Sequence, residues 1–306
     1  MIAESLDCEV SCNVSFRDVV TLVRPKEWTK NTLVFAALIF ARQLFEPALA
    51  IRAALAFVAL CAVSSGVYAA NDAIDADRDA RHPVKRNRPV AAGRVSRGTA
   101  FALAIALVSA GLALSAFLDV VLLVTVALYL LLQVAYSAYL KHVLIVDMLA
   151  IAAGFVLRAI AGAVVIYVAA SPWLVLCTGL LALFLAAAKR RHELVLLEGS
   201  SAEHRPVLEE YSPEMLDGFM TTLAATTITS YALYGFFASI TPYYMMMSTV
   251  PFVVYGVLRY QYLVLRRQLG GRPAEVLLGD KPMLIAIALW LSTVVLILYV
   301  LRPALT

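Results

Sequence analysis

From residue 30 to residue 301 the chain is a succession of apolar stretches that carry almost no charge. A helix that crosses a bilayer takes about 20 such residues. In lipid the backbone must satisfy its own hydrogen bonds, so a chain patterned this way folds as an all-α integral membrane protein. Nine spans are read, at 30–45, 52–70, 99–118, 120–139, 144–168, 172–188, 215–238, 243–263 and 283–301. The first is the weakest, because Arg42 interrupts it. Of the 306 residues 62% are hydrophobic and 15% charged, whereas a soluble domain is about 45–50% apolar. That balance excludes a soluble globular enzyme, and no part of the chain has the makings of a nucleic-acid-binding surface.

The loops alternate in charge. Arg17, Arg24, Lys26 and Lys30 precede the first span, and Arg78, Arg81, Lys85, Arg86, Arg88, Arg94 and Arg97 follow the second. Lys141 and His142 follow the fourth span, Lys189, Arg190, Arg191 and Arg205 the sixth, and Arg266, Arg267, Arg272 and Lys281 the eighth. The loops at 117–119, 169–171 and 239–242 have neither Lys nor Arg; Arg42 and Arg52 beside the first loop are the exception. The positive-inside rule then predicts nine spans with a cytoplasmic N-terminus and an external C-terminus. Residues 1–15 read as a flexible cytoplasmic tail without a cleavable signal, and Cys8 and Cys12 within it as free thiols. Residues 16–306 read as one membrane domain whose first segment, Phe16 to Trp28, is an amphipathic helix at the cytoplasmic interface.

The strongest local signal stands where the second span leaves the membrane: Asn71-Asp72-Ala73-Ile74-Asp75-Ala76-Asp77-Arg78-Asp79. If the helix continues, Asn71, Asp75 and Asp79 share a face, with Asp72 beside them. Such a ladder is either a solvated acidic helix end or a site where a hard divalent cation neutralises oxygen ligands, which points to Mg2+ bridging to a phosphate. Lys85, Arg86 and Arg88 follow at once between Pro83 and Pro89. Arginine suits bidentate phosphate contacts and lysine a point charge. Basic residues here also serve topology, but a metal–phosphate site accounts for both signs together.

Asn71-x-x-x-Asp75-x-x-x-Asp79 after the second of nine spans resembles the first aspartate motif of the UbiA prenyltransferase superfamily. The resemblance implies a UbiA-type bundle around a cytoplasm-facing cavity, with magnesium holding a substrate diphosphate. The sixth loop departs from the usual second aspartate motif, reading Lys189-Arg190-Arg191-His192-Glu193-Leu194. With Arg24-Pro25-Lys26-Glu27-Trp28-Thr29-Lys30-Asn31, Gly154-Phe155-Val156-Leu157-Arg158 and Gly271 to Asp280, it resembles the decaprenyl-phosphate phosphoribosyltransferase branch. That branch implies phosphoribosyl diphosphate as donor, a polyprenyl phosphate as acceptor, and a lipid precursor of cell-wall arabinose as product, made at a bacterial inner membrane. A homo-oligomer is left open. The site expected from it has Asn71, Asp72, Asp75 and Asp79 at the metal, Asp72, Asp75 and Lys189 as catalytic residues, and Lys26, Lys30, Lys85, Arg86, Arg88, Arg190 and Glu193 toward the substrates.

Charges inside spans need reasons. Asp147 and Arg158 are eleven residues apart, about three helical turns and roughly 16 Å along the axis, too far to pair directly. Arg158 either reaches an acceptor phosphate or is held structurally. Tyr136 and Lys141 either contact phosphate or anchor a helix end at the interface. Two rivals stand beside the transferase reading: an aromatic prenyltransferase of the same superfamily, which the basic sixth loop disfavours, and a transporter, which would gather its charges near the bilayer midplane.

Overall fold

The computed structural model describes residues 15–81, 85–197, 208, 210–237, 242–271 and 273–301. The tail before residue 15, His82 to Val84, Arg205 and Arg272 lie outside the described residues. Among the described residues every regular element is helical. A short α1 (Phe16–Val23) is followed by a 3-10 run (Pro25–Leu33) and α2 (Val34–Phe40). Then come α3 (Pro47–Ile74), α4 (Ala76–Arg81), α5 (Arg97–Leu118), α6 (Val120–Ala138) and α7 (Val146–Val165). The second half holds α8 (Pro172–Leu197), α9 (Pro213–Phe237), α10 (Val250–Arg267), α11 (Pro273–Gly279) and α12 (Lys281–Val295), the last running into a π-helical turn at Leu296–Leu301.

The boundaries follow local chemistry. Ser96 caps α5 by accepting from the Thr99 N–H, Asp119 caps α6 by accepting from Val121 and Leu122, and Asp280 caps α12 by accepting from Met283. Pro47 opens α3, where its missing N–H is no loss. Arg24 adopts a left-handed conformation (φ 52°) and separates α1 from the 3-10 run that Pro25 begins.

Among the described residues six helices are long and apolar enough to cross a membrane: α3, α5, α6, α7, α8 and α12 with its π turn. The protein is thus a multi-pass membrane bundle. The nine expected crossings are not all found as long apolar helices. The first, 30–45, is broken into the end of the 3-10 run and the seven residues of α2. α9 and α10 are long, but α9 carries five threonines, and α10 carries Arg259, Arg266 and Arg267. Large side chains such as Ile105, Phe117, Val120 and Leu131 are exposed on α5 and α6, as lipid-facing surfaces require.

Two packed halves result. Val34, Leu38, Leu60, Val63, Leu122 and Tyr129 form a core of α2, α3, α6 and α7. Phe184, Leu216, Met220, Tyr260, Leu263 and Met283 form a second core of α8, α9, α10 and α12. Small residues let backbones touch, as they do generally between membrane helices. A Cβ on Gly111 of α5 would lie 2.8 Å from the Ala59 carbonyl of α3, and one on Gly162 of α7 would lie 2.0 Å from the Val34 carbonyl of α2. Arg52, the exception to the charge pattern, is a latch: its Nε donates to the Val165 carbonyl (2.8 Å) and its Nη2 to the Leu118 carbonyl (2.9 Å), closing the C-terminal ends of α7 and α5. Tyr299 joins the two ends of the fold, its hydroxyl donating to the Ile39 carbonyl at 2.9 Å and accepting from the Leu44 N–H.

Replacing Gly162 by Ala forces α2 away from α7. The expected result is a loss of about 1–3 kcal/mol, as for overpacked cores, read as a lower melting temperature of the purified protein in detergent.

Candidate active site

The α3 exit builds the first half of the site. The helix does not continue unbroken through Asp79: α3 ends at Ile74, Asp75 (φ −85°, ψ 6°) turns the chain, and α4 starts at Ala76. The hydrogen-bond ladder crosses the break, because the Asp75 N–H still donates to the Asn71 carbonyl (2.9 Å) and the Asp79 N–H to the Asp75 carbonyl (2.8 Å). Asp72 and Asp79 are buried, at 2% and 3% exposure. One guanidinium nitrogen, Arg88 Nη1, joins them, 3.0 Å from Asp72 Oδ1 and 2.6 Å from Asp79 Oδ2. Arg24 Nη2 adds a contact of 2.5 Å to Asp72 Oδ1, and Lys85 Nζ lies 3.9 Å from Asp79 Oδ1. Asp75 is half-buried, and its carboxylate makes no ion pair or side-chain hydrogen bond among the described residues. Asn71 donates its amide N–H to Ser137 Oγ at 3.1 Å. Asp77 faces outward, where the Arg97 guanidinium holds its carboxyl below the usual range.

The second half comes from the ends of α6, α7 and α8. Arg190 is fully buried, and all three of its nitrogens are engaged: Nε with Asp147 Oδ2 (2.5 Å), Nη1 with Glu193 Oε2 (2.5 Å) and Nη2 with the Tyr136 hydroxyl (3.0 Å). The Tyr211 hydroxyl donates to Asp147 Oδ1 at 2.9 Å and accepts from the Ile145 N–H. Lys189 Nζ lies 3.8 Å from Glu193 Oε1, while Arg191 turns outward to Asp217.

Glu27, on the 3-10 run, connects the two halves. Burial works against its ionisation, but the charges of Lys30, Lys189 and Arg24 outweigh it and hold its carboxyl below the usual range. Lys30 Nζ pairs with Glu27 Oε2 at 2.5 Å. Next to it Asn31 accepts from Arg158 Nε at 2.7 Å, and Arg158 Nη2 donates to the Tyr129 hydroxyl at 2.7 Å. Thr29 and Lys30 also stand at the head of an apolar groove of about 550 Å3 between the two packed halves. Its walls include Phe40, Phe155, Leu181, Phe184, Tyr260 and Trp290, and it reaches Ser171 and Trp173 at the opposite end of α8.

Of the residues expected from the sequence, Asp72, Asp79, Lys85 and Arg88 form one cluster, and Lys189, Arg190, Glu193 and Tyr136 another. Arg190, expected toward the substrates, donates to Asp147, Glu193 and Tyr136. Tyr136 serves Arg190 directly. Lys26, Arg86 and Lys141 have no ion pair or side-chain hydrogen bond among the described residues. Asp147 and Arg158 are indeed unpaired with each other. The sequence reading left out Arg24, Glu27, Asn31 and Tyr129 as site residues. Tyr129 was legible: it stands seven residues before Tyr136 on one face of α6, and each tyrosine accepts from an arginine. Glu27 was marked only by its three-residue spacing to Lys30.

The donor set at the α3 exit is all oxygen, which suits magnesium. Among the described residues no three His, Cys, Asp or Glu side chains converge on one point. Magnesium asks for less, because it keeps waters and takes substrate phosphates alongside one or two carboxylates. Asp75 is the acid open to it, with Asn71 one turn away.

The sequence matches the UbiA prenyltransferase family over residues 32–288. It is 38% identical to the decaprenyl-phosphate phosphoribosyltransferase of Corynebacterium glutamicum over 92% of this chain and 87% of that protein. It is 35% identical to the protein of the same name from Mycolicibacterium smegmatis, over 90% of this chain and 91% of the relative. A solved structure of a UbiA homolog from Archaeoglobus fulgidus bound to GPP and Mg2+ superimposes with a TM-score of 0.68 at 19% identity, covering 92% of this chain and 100% of that one. The fold is therefore shared with that archaeal protein, and the chain belongs to the UbiA prenyltransferase family.

Proposed function

We propose that the protein transfers the 5-phosphoribosyl group of phosphoribosyl diphosphate to a polyprenyl phosphate of the decaprenyl type, releasing diphosphate. The observation that carries this reading is a pair of acid–base clusters, Asp72, Asp79, Lys85 and Arg88 at the α3 exit and Lys189, Arg190 and Glu193 on α8, together with an apolar groove headed by Thr29 and Lys30. The clusters suit a multiply phosphorylated donor and the groove a lipid acceptor. The names of the similar proteins from Corynebacterium and Mycolicibacterium support the same pair of substrates. The basic ends of the helices support a site on the cytoplasmic face of a bacterial inner membrane. The product would serve as a precursor of cell-wall arabinan.

Asn71, Asp75 and the neighbouring Asp72 and Asp79 would hold magnesium, which when bound neutralises charge on the leaving diphosphate. The chain's own cations do the rest. Arg88 and Arg24, now on Asp72 and Asp79, are placed to turn toward the donor's phosphates, with Lys85, Arg86 and Lys26 around them. Lys189, kept in place by the Arg190–Glu193 contacts, faces the same space from α8 and stabilises the charge that develops. The C1–O bond to diphosphate breaks as a phosphate oxygen of the lipid forms a new bond to C1 from the opposite face. The second pKa of a phosphate ester is about 6, so the nucleophile is already ionised and no general base is needed. Part of the polyprenyl chain lies along the apolar groove, and the remainder of a longer chain lies in the bilayer.

Membranes containing the protein should convert labelled phosphoribosyl diphosphate and polyprenyl phosphate into a lipid-soluble product, and leave prenyl diphosphates unconsumed. Consumption of a prenyl diphosphate with an aromatic acceptor would overturn the assignment. Asp75→Ala removes an acid with no ion pair or side-chain hydrogen bond among the described residues, so the fold should stay intact while kcat/KM falls by at least about 100-fold at saturating magnesium. Lys189→Ala should lower transfer without lowering the melting temperature. Arg190→Ala should do the reverse in kind: it strands Asp147 in the interior, which costs about 3–5 kcal/mol, and the loss appears first in thermal stability.

A further inference from the structure

Arg158 is 4% exposed within the bundle and forms no ion pair among the described residues. Its hydrogen bonds go to neutral groups: Asn31 Oδ1, the Gly154 carbonyl and the Tyr129 hydroxyl. The rings of Tyr129 and Phe155 flank it at 4.6 and 5.2 Å. A guanidinium has five N–H donors, and a charge in a membrane interior usually faces a partner or a substrate path. Every other buried charge described above has an opposite charge in contact: Asp72 with Arg24 and Arg88, Asp79 with Arg88, Asp147 with Arg190.

The surroundings say what the missing anion is. Asn31, which takes the Arg158 Nε–H, is the neighbour of Lys30, and the Arg158 charge reaches the Lys30 ammonium. Lys30 and Thr29 stand at the head of the apolar groove, and Phe155, which flanks Arg158, is part of its wall. Lys30 has Glu27 on one side, so Lys30, Arg158 and Glu27 together leave one positive charge over. An anion seated there would have an apolar chain running directly away from it.

We propose that Lys30 and Arg158 form the seat of the lipid acceptor's phosphate, Lys30 by direct contact and Arg158 by the fixed positive field behind it, held through Asn31. The ligand is a phosphate monoester carrying an isoprenoid tail. The assignment rests on the proposed function and refines it: the donor's phosphates belong to the Asp72–Arg88 side, and the acceptor's phosphate to the groove head. The two ionic groups then meet across Glu27, which feels charges from both.

The test is equilibrium binding to the purified full chain in detergent, with three probes: labelled polyprenyl phosphate, the uncharged polyprenol of the same length, and phosphoribosyl diphosphate. Lys30→Gln should weaken polyprenyl phosphate by roughly tenfold to a hundredfold, as expected for a lost charged hydrogen bond, and Arg158→Gln by a smaller factor of roughly threefold to tenfold, as expected for a lost charge that does not touch the ligand. Polyprenol binding and donor binding should stay within about twofold of the unaltered protein. Unchanged affinity for polyprenyl phosphate in Lys30→Gln overturns the seat, and this variant alone decides if Arg158→Gln does not fold. Weakened donor binding with intact lipid binding also overturns it, by giving the seat to a donor phosphate. Phosphate-dependent lipid binding that fails in both variants, in a protein that transfers no phosphoribosyl group, would leave the seat standing and remove the proposed function instead.

Discussion

The contact between Arg190 and Asp147 holds the working end of this bundle together. Both side chains are wholly removed from solvent. Taking two ions out of water costs several kcal/mol each, and their attraction offsets this only with good geometry and further hydrogen bonds. Those bonds are present. Arg190 also donates to Glu193 and Tyr136, and Asp147 also accepts from Tyr211, whose oxygen in turn takes the Ile145 N–H. Burial and the bond to Asp147 push the Tyr211 phenol above its usual range, so it stays a donor. One polar knot thereby ties the end of α6, the start of α7, the end of α8 and the segment leading into α9. The position of Lys189 on α8 follows from that knot.

The same device recurs one layer deeper with a different outcome. Arg158 of α7 also takes a tyrosine of α6, Tyr129, and also buries its charge, but its other partners are neutral. Two arginines on adjacent helices thus share a tyrosine-bearing face of α6. One meets the carboxylates of Asp147 and Glu193; the other meets only neutral groups among the described residues. At the α3 exit the arrangement is different again. Arg24 and Arg88 sit on Asp72 and Asp79, so acids and bases neutralise each other there. Asp75, at the break between α3 and α4, has no ion pair among the described residues.

Much of this was legible in the amino-acid order. The apolar stretches dictate a membrane bundle because lipid leaves the backbone no other option, and the alternating basic loops put the chemistry on one face. Asp72 and Asp79 of the acid ladder and the cations Lys85 and Arg88 do lie together, as their closeness in sequence favours. Other parts were not legible. Among the described residues six helices are long and apolar enough to cross a membrane, and the count of nine spans is not confirmed. α3 ends at Ile74, and Asp75 turns the chain before α4. Arg190, a candidate for substrate, contacts Asp147, Glu193 and Tyr136.

The sequence alone determined the class of fold, the side on which charge gathers and the kind of chemistry the α3 exit can support, since all three depend on residue type and near spacing. Only the tertiary structure decided which charges meet opposite charges and which meet neutral groups. That choice depends on contacts across wide separations, Arg24 with Asp72, Asn31 with Arg158 and Asp147 with Arg190. In a low-dielectric interior the energy of a charge is set by whichever partner packing brings within about 3 Å, and no local pattern along the chain records that partner.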